Sequence, residues 1–253
     1  MYRRPNPERS GMPTETLLLA TLVLALAGFT QGLTGFGFGI TAMSLLPWVL
    51  GLDEAHAVVT LTSTAACLLM AAVTLRDVPW RSLWLLALGT TAGVPLGFWL
   101  FESLPRLLVT RVLGLTLCSM VLFELFVVRH TEWRWSRCLE PFVGLASGIL
   151  TGAFNVGGPP LVAYIYSQPW SKQQHVAGLT AVFMSGGLMR VALLFSHREV
   201  PPDVWKATGW SLLPMLAAIV FGNRLLGLIP QQRLRTGVFA VLLFLGGRYL
   251  LAG

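Results

Sequence analysis

The sequence predicts an all-α integral membrane protein of two homologous helical repeats, with about eight spanning helices and glycine-broken helices near the midplane. Three observations predict it. Hydrophobic residues make up 55% of the chain and charged residues 11%, at a mean hydropathy of +0.69, whereas soluble domains carry roughly 25% charge. Apolar runs of about 20 residues, the length that crosses a ~30 Å hydrocarbon layer, begin near Thr14, Ala55, Leu83, Leu107, Leu139, His175, Trp205 and Leu234. Finally, the segment from Gly28 to Gly39 (GFTQGLTGFGFG) returns as Gly144 to Pro159 (GLASGILTGAFNVGGP), and both copies interrupt strongly apolar stretches.

Residues 1–13, with Arg3, Arg4 and Arg9, read as a cytoplasmic tail. Together with Leu17 to Ala27 they imitate a cleavable secretory signal. Retention is expected, because cleavage would deprive the first glycine copy of the preceding helix that the second keeps in Pro141 to Leu150. The first transmembrane repeat follows over residues 14–128, a connecting loop over 129–138, and the second repeat over 139–253. Trp133 and Trp135 in the loop suit a membrane interface. The duplication extends beyond glycine: its offset climbs from 116 (Gly28 to Gly144) through 119 (His56 to His175) and 122 (Arg76 to Arg198) to 125 (Pro105 to Pro230). Such a slow drift means single-residue insertions in a duplicated unit; chance matches would scatter.

Topology turns on Thr14 to Leu52, which is too long for one crossing and holds either one crossing plus a short re-entrant piece or two crossings. With four crossings per half, Arg3, Arg4, Arg9, Arg76, Arg81, Arg129, Arg134, Arg137, Arg198 and Lys206 share one side, against Arg106, Lys172, Arg233 and Arg235. That bias favours cytoplasmic termini and parallel repeats. With five per half, ten in all, the halves are inverted and the bias disappears. Phe36 to Leu50, with Pro47 inside it, keeps the second count open.

The net charge of +7 is spread through short connections, so it orients the chain in the bilayer and does not mark a nucleic-acid partner. Cys67, Cys118 and Cys138 form neither a disulfide framework nor a metal-ligand spacing. No His-Glu-x-x-His zinc helix, phosphate-cradling loop ending in Gly-Lys-Ser/Thr, or Ser, His and Asp set is present, so neither an enzyme nor a cofactor is expected.

The GLTGFGFG run from Gly32, the GAFNVGGPPL run from Gly152 and the two-fold repeat resemble the sulfite exporter TauE/SafE family of membrane transporters, over about Leu17 to Leu251. The family's first motif usually carries consecutive glycines; here Phe38 separates Gly37 from Gly39. The resemblance implies transport of small sulfur-containing or organic anions, such as sulfite, sulfoacetate or other sulfonates, usually across a bacterial plasma membrane. Three classes follow: a secondary transporter working by alternating access between the repeats, an anion channel, or a non-transport membrane scaffold. A small anionic substrate, the lipid bilayer, a proton or sodium ion for coupling and a second copy in a homodimer are the partners to consider.

Glycine reaches left-handed backbone angles and lets N–H groups approach a ligand, and successive N–H groups at a bend form an anion-binding concavity. Helices starting after the bends, near Ile40 and Pro160, would add the positive ends of their dipoles. Gly35, Gly37, Gly39, Gly157 and Gly158 are therefore assigned to the bends, while Gly28, Gly32, Gly144 and Gly148 read as helix-packing positions. Gln31, Thr34, Thr151 and Asn155 either donate to substrate oxygens or cap freed backbone groups. Thr60 and Thr180 are the hydroxyls of the following helices singled out as ligands, although such hydroxyls commonly bond their own backbone. His56 and His175 open matching helices as a gate or proton site, or as interfacial residues. Arg190 lies deep in an apolar run, where it either meets an anion or snorkels to the nearby end.

Overall fold

The computed structural model describes residues 12–34, 37–123, 136–197, 199–225 and 231–251. They form α1 (Thr14–Thr34), α2 (Phe38–Leu45), α3 (Pro47–Leu50), α4 (Leu52–Thr74), α5 (Trp80–Ser103), α6 (Arg106–Phe123), α7 (Glu140–Phe154), α8 (Gly158–Tyr166), α9 (Lys172–His197), α10 (Pro202–Leu225) and α11 (Gln231–Leu251). Helices begin within a few residues of each apolar run. Helices α1, α4, α5, α9 and α10 are long and apolar enough to cross a membrane, while Phe38–Leu50 and Ala240–Leu251 are shorter apolar pieces. The chain is a multi-pass membrane protein. The N-terminal tail to residue 11 and the loop residues 129–135 lie outside the described residues.

Two glycine-lined helix pairs organise the bundle, α5 on α7 and α1 on α10. Gly89 and Gly93 of α5 face the backbone of Pro141 and Leu145, and Gly97 faces Ile149; Gly144, Gly148 and Gly152 of α7 face Leu86, Thr90 and Val94 in return. A Cβ on Gly89 would come within 2.6 Å of the Pro141 carbonyl, and one on Gly28 within 2.7 Å of that of Met215. With no water to expel between helices in lipid, such close backbone contact is what holds them together. Thr21 Oγ1 and Ser211 Oγ share a hydrogen bond at 3.1 Å between α1 and α10. Register rises together within each pair, so α5 runs parallel to α7 and α1 parallel to α10.

Helices α4 and α9 run in opposite directions. Thr64 lies against Gly187 and Ser63 against Arg190 at their centres. Near the start of α4, the His56 ring meets Phe98, which in turn meets His197 at the end of α9. Hence α1, α4 and α10 point one way and α5, α7 and α9 the other. The helices that the sequence equates, α1 with α7, α4 with α9 and α5 with α10, are therefore mutually inverted, contrary to the parallel arrangement favoured by the charge count. The cause is α2–α3: this segment turns the chain back after α1, so α4 starts at the end where α1 started, and each later element is reversed. Accordingly Lys206 shares an end with Arg106, which pairs with Asp53 at 2.9 Å, while Arg76, Arg81, Lys172 and Arg137 sit at the other end, Arg137 donating to Ser82 Oγ at 2.9 Å.

The larger core surrounds α4 and the first returning segment, with Leu24, Met43, Leu46, Val58 and Leu117 fully buried. A second core joins α5, α8 and α9 through Leu86, Leu161, Ile165 and Val182. Trp84, Trp99, Trp210, Phe142 and Phe244 point outward, as side chains bathed in lipid do.

Candidate functional site

The two broken helices meet inside the bundle. Gly37, at φ 107°, caps α2 in a left-handed conformation that a Cβ would oppose. The second break departs from the glycine reading: the left-handed residue is Asn155, at φ 59°, and Gly157 has an ordinary φ of −86°. Asparagine tolerates that conformation, and it lets the Asn155 and Val156 amides bond the carbonyls of Thr151 and Leu150. Gly157 is needed for space instead, because a Cβ there would overlap Thr151 Oγ1 and the Ser147 carbonyl. Ser147 Oγ donates to the Gly157 carbonyl at 2.6 Å. The bends touch each other: a Cβ on Gly39 would overlap the carbonyl of Asn155.

Between them lies a cavity of about 60 Å³, room for about four waters or one small anion. The first bend contributes Gly37 to Ile40 and the second Asn155 to Gly158; Gln31, Thr151, Ser63 and Cys67 of α4, and Phe183 and Arg190 of α9 complete the wall. The first turns of α2 and α8 therefore face one space; the leading N–H groups of α2 have no partner within their helix, whereas α8 opens Gly158-Pro159-Pro160 and its two prolines carry no N–H. Both helix starts favour negative charge there.

Arg190 does not snorkel. It is 4% exposed, donating from Nη1 to the Thr151 carbonyl and from Nη2 to Ser63 Oγ, each at 3.3 Å. Its Nε is buried without a partner, as is Thr151 Oγ1, and among the described residues no carboxylate forms an ion pair with the guanidinium. A buried cation left this way is costly, and a bound anion would relieve it.

The other residues singled out from the sequence divide. Asn155 lines the cavity, but its amide is engaged: Thr60 Oγ1 donates to Oδ1 at 3.3 Å, and Nδ2 donates to the His56 carbonyl at 3.4 Å. His56 stacks on Phe101 with centroids 4.2 Å apart, and its Nε2 donates to the Gly152 carbonyl at 3.1 Å. Thr60 and His56 thus hold the second bend in place. Gln31 reaches the cavity with Nε2 3.8 Å from Met70 sulfur. Thr180 donates to Val176 of its own helix at 2.8 Å, and His175 donates to the Gln168 carbonyl at 3.2 Å and stacks on Tyr166; neither lines the cavity. Of Thr34 only the helical backbone is described, and Gly35 lies outside the described residues. Ser63, Cys67 and Phe183 are additions to the site. Ser63 and Cys67, four apart on one helix face, carry a spacing signal once α4 is known to border the bends.

The family model described as sulfite exporter TauE/SafE matches residues 20–249. A protein of Cupriavidus necator named as a probable sulfite/organosulfonate exporter TauE is 27% identical over 261 residues, spanning 95% of this chain and 97% of the relative. No solved structure matches the chain.

Proposed function

Since the chain belongs to the sulfite exporter TauE/SafE family, we propose that it is a secondary transporter of small sulfur-containing or organic anions, such as sulfite, sulfoacetate or another sulfonate. It works across a bacterial plasma membrane by alternating access at the cavity between the two halves. The name of the Cupriavidus relative supports this class of substrate. The observation that carries the reading is Arg190, a buried guanidinium without a carboxylate partner among the described residues and with an orphan Nε, whose side chain lines a cavity faced by two helix starts. Charge attraction in a low-dielectric site brings the anion in, and the N–H groups of the bends and Thr151 Oγ1 take its oxygens.

The duplicated, inverted halves supply the alternation. Each half carries one hairpin, α1–α2 or α7–α8, into the centre, and rocking one half against the other opens the cavity to each end in turn. A proton or sodium gradient drives the cycle. The test is uptake of isotope-labelled sulfite and sulfoacetate by proteoliposomes, beside a thermal-shift panel of sulfite, thiosulfate, sulfate, taurine, sulfoacetate and related carboxylates. Saturable flux that a second ion drives uphill is expected, and Arg190→Ala abolishes it in a protein that still inserts and melts cooperatively. Normal flux through that variant overturns the site; flux near the diffusion limit that no ion gradient can drive uphill overturns alternating access.

A further inference from the structure

We propose that Cys67 is a covalent modification site for anionic sulfur electrophiles, thiosulfonates and polythionates, within the cavity; this rests on the anion-site reading above. Cys67 is a partly exposed free thiol on α4, one turn beyond Ser63, and both border the cavity with Arg190. The pointer to an anion beside the thiol is the Arg190 side chain, 4% exposed, which lines the same cavity and whose Nε has no hydrogen-bond partner. The other two thiols lie elsewhere: Cys118 packs on Gly246 of α11, and Cys138 is exposed ahead of α7.

The chemistry balances without a further reactant. The Cys67 sulfur attacks the sulfenyl sulfur of a thiosulfonate, giving up its proton to water. An S–S bond forms, the S–SO₂ bond breaks, and a sulfinate leaves with the electron pair. The thiol is oxidised to a disulfide and the sulfonyl group reduced to a sulfinate; with a polythionate the same attack leaves an S–SO₃⁻ group on the Cys67 sulfur, and thiosulfate, or sulfite from trithionate, departs with the electron pair. A field that concentrates anions raises the encounter rate of a negative reagent and lowers that of a positive one. The attached group then fills the space that the transported anion needs.

The test uses the full chain in liposomes with Cys118→Ser and Cys138→Ser, leaving Cys67 as its single thiol. Adducts of 2-sulfonatoethyl methanethiosulfonate and of its trimethylammonium counterpart are followed by intact mass, with rates normalised to free cysteine. The expected result is a preference of about tenfold or more for the anionic reagent, slowed by saturating ethanesulfonate, which does not consume the reagent, and lost in Arg190→Gln. Should Arg190→Gln fail to fold, protection by ethanesulfonate on the Arg190 protein decides. Equal rates for the two reagents, or no adduct under conditions that fully label Cys138 in the natural protein, overturn the inference. If Cys67 shows no charge preference while sulfite uptake remains Arg190-dependent, this inference fails and the transport reading stands. Charge-selective labelling without any uptake has the reverse meaning.

Discussion

Arg190 Nη1 meets the Thr151 carbonyl and Nη2 meets Ser63 Oγ, both at 3.3 Å, so a single guanidinium joins α9 to α7 and α4. Its planar fork makes this reach, whereas a lysine is a compact point charge. Arg190→Lys is expected to lower sulfite transport at least about tenfold despite the retained charge, with normal insertion. Ser63→Ala removes one hydrogen bond of about 1 kcal/mol, so apparent affinity should weaken by about fivefold. Concentration-dependent uptake measures both.

Asn155 carries two separable loads, a left-handed backbone and a side chain shared with Thr60 and His56. Asn155→Ala loses both, at about 2–3 kcal/mol. Asn155→Gly restores the backbone and leaves only the amide loss, about 1 kcal/mol. Melting temperatures in detergent should therefore fall in the order natural protein, Gly variant, Ala variant. Equal melting of the two variants would show that the left-handed turn adds nothing.

Glycines of similar appearance should respond oppositely. Gly39→Ala drives a Cβ into the Asn155 carbonyl and separates the two bends, so both stability and transport should fall. Gly209→Ala meets nothing within 4 Å in the middle of α10, and the gain in helix propensity should stabilise by up to about 1 kcal/mol. Thermal melts of the pair make the comparison.

Thr180→Val removes a hydroxyl that bonds its own helix and lies off the cavity wall, so transport should stay within about twofold of the natural protein. Thr60→Val instead frees Asn155 Oδ1 and should cost activity through the shape of the second bend. The contrast is read in parallel uptake assays.

Helix positions were legible in the sequence because hydrophobic length and glycine–proline punctuation are local signals, and the breaks after Thr34 and Phe154 fall where those signals place them. Helix direction was not, since it depends on whether the thirteen residues Phe38–Leu50 turn the chain back, and the apolar character of a segment does not state its path. The same inversion explains His56 and His175. The repeat read from the sequence equates them, yet they open α4 and α9 from opposite ends of the bundle, and each finds a carbonyl. The left-handed turn at Asn155 was hidden behind the adjacent glycine pair, of which Gly157 serves clearance. Ser63 and Cys67 became site residues only once packing showed which face of α4 meets Arg190.

Tyr249 Oη donates to the Ser44 carbonyl at 3.0 Å, and its ring stacks on Trp48, which also lies beneath Arg248. The first central hairpin is thus clasped by a helix synthesised some two hundred residues afterwards, as α1 must wait for α10. A chain still lacking that last helix lacks this clasp on its return segment. Ribosome-stalled chains released before Val241 should accordingly leave Ser44 and Trp48 open to protease or label, and the full-length chain should close them.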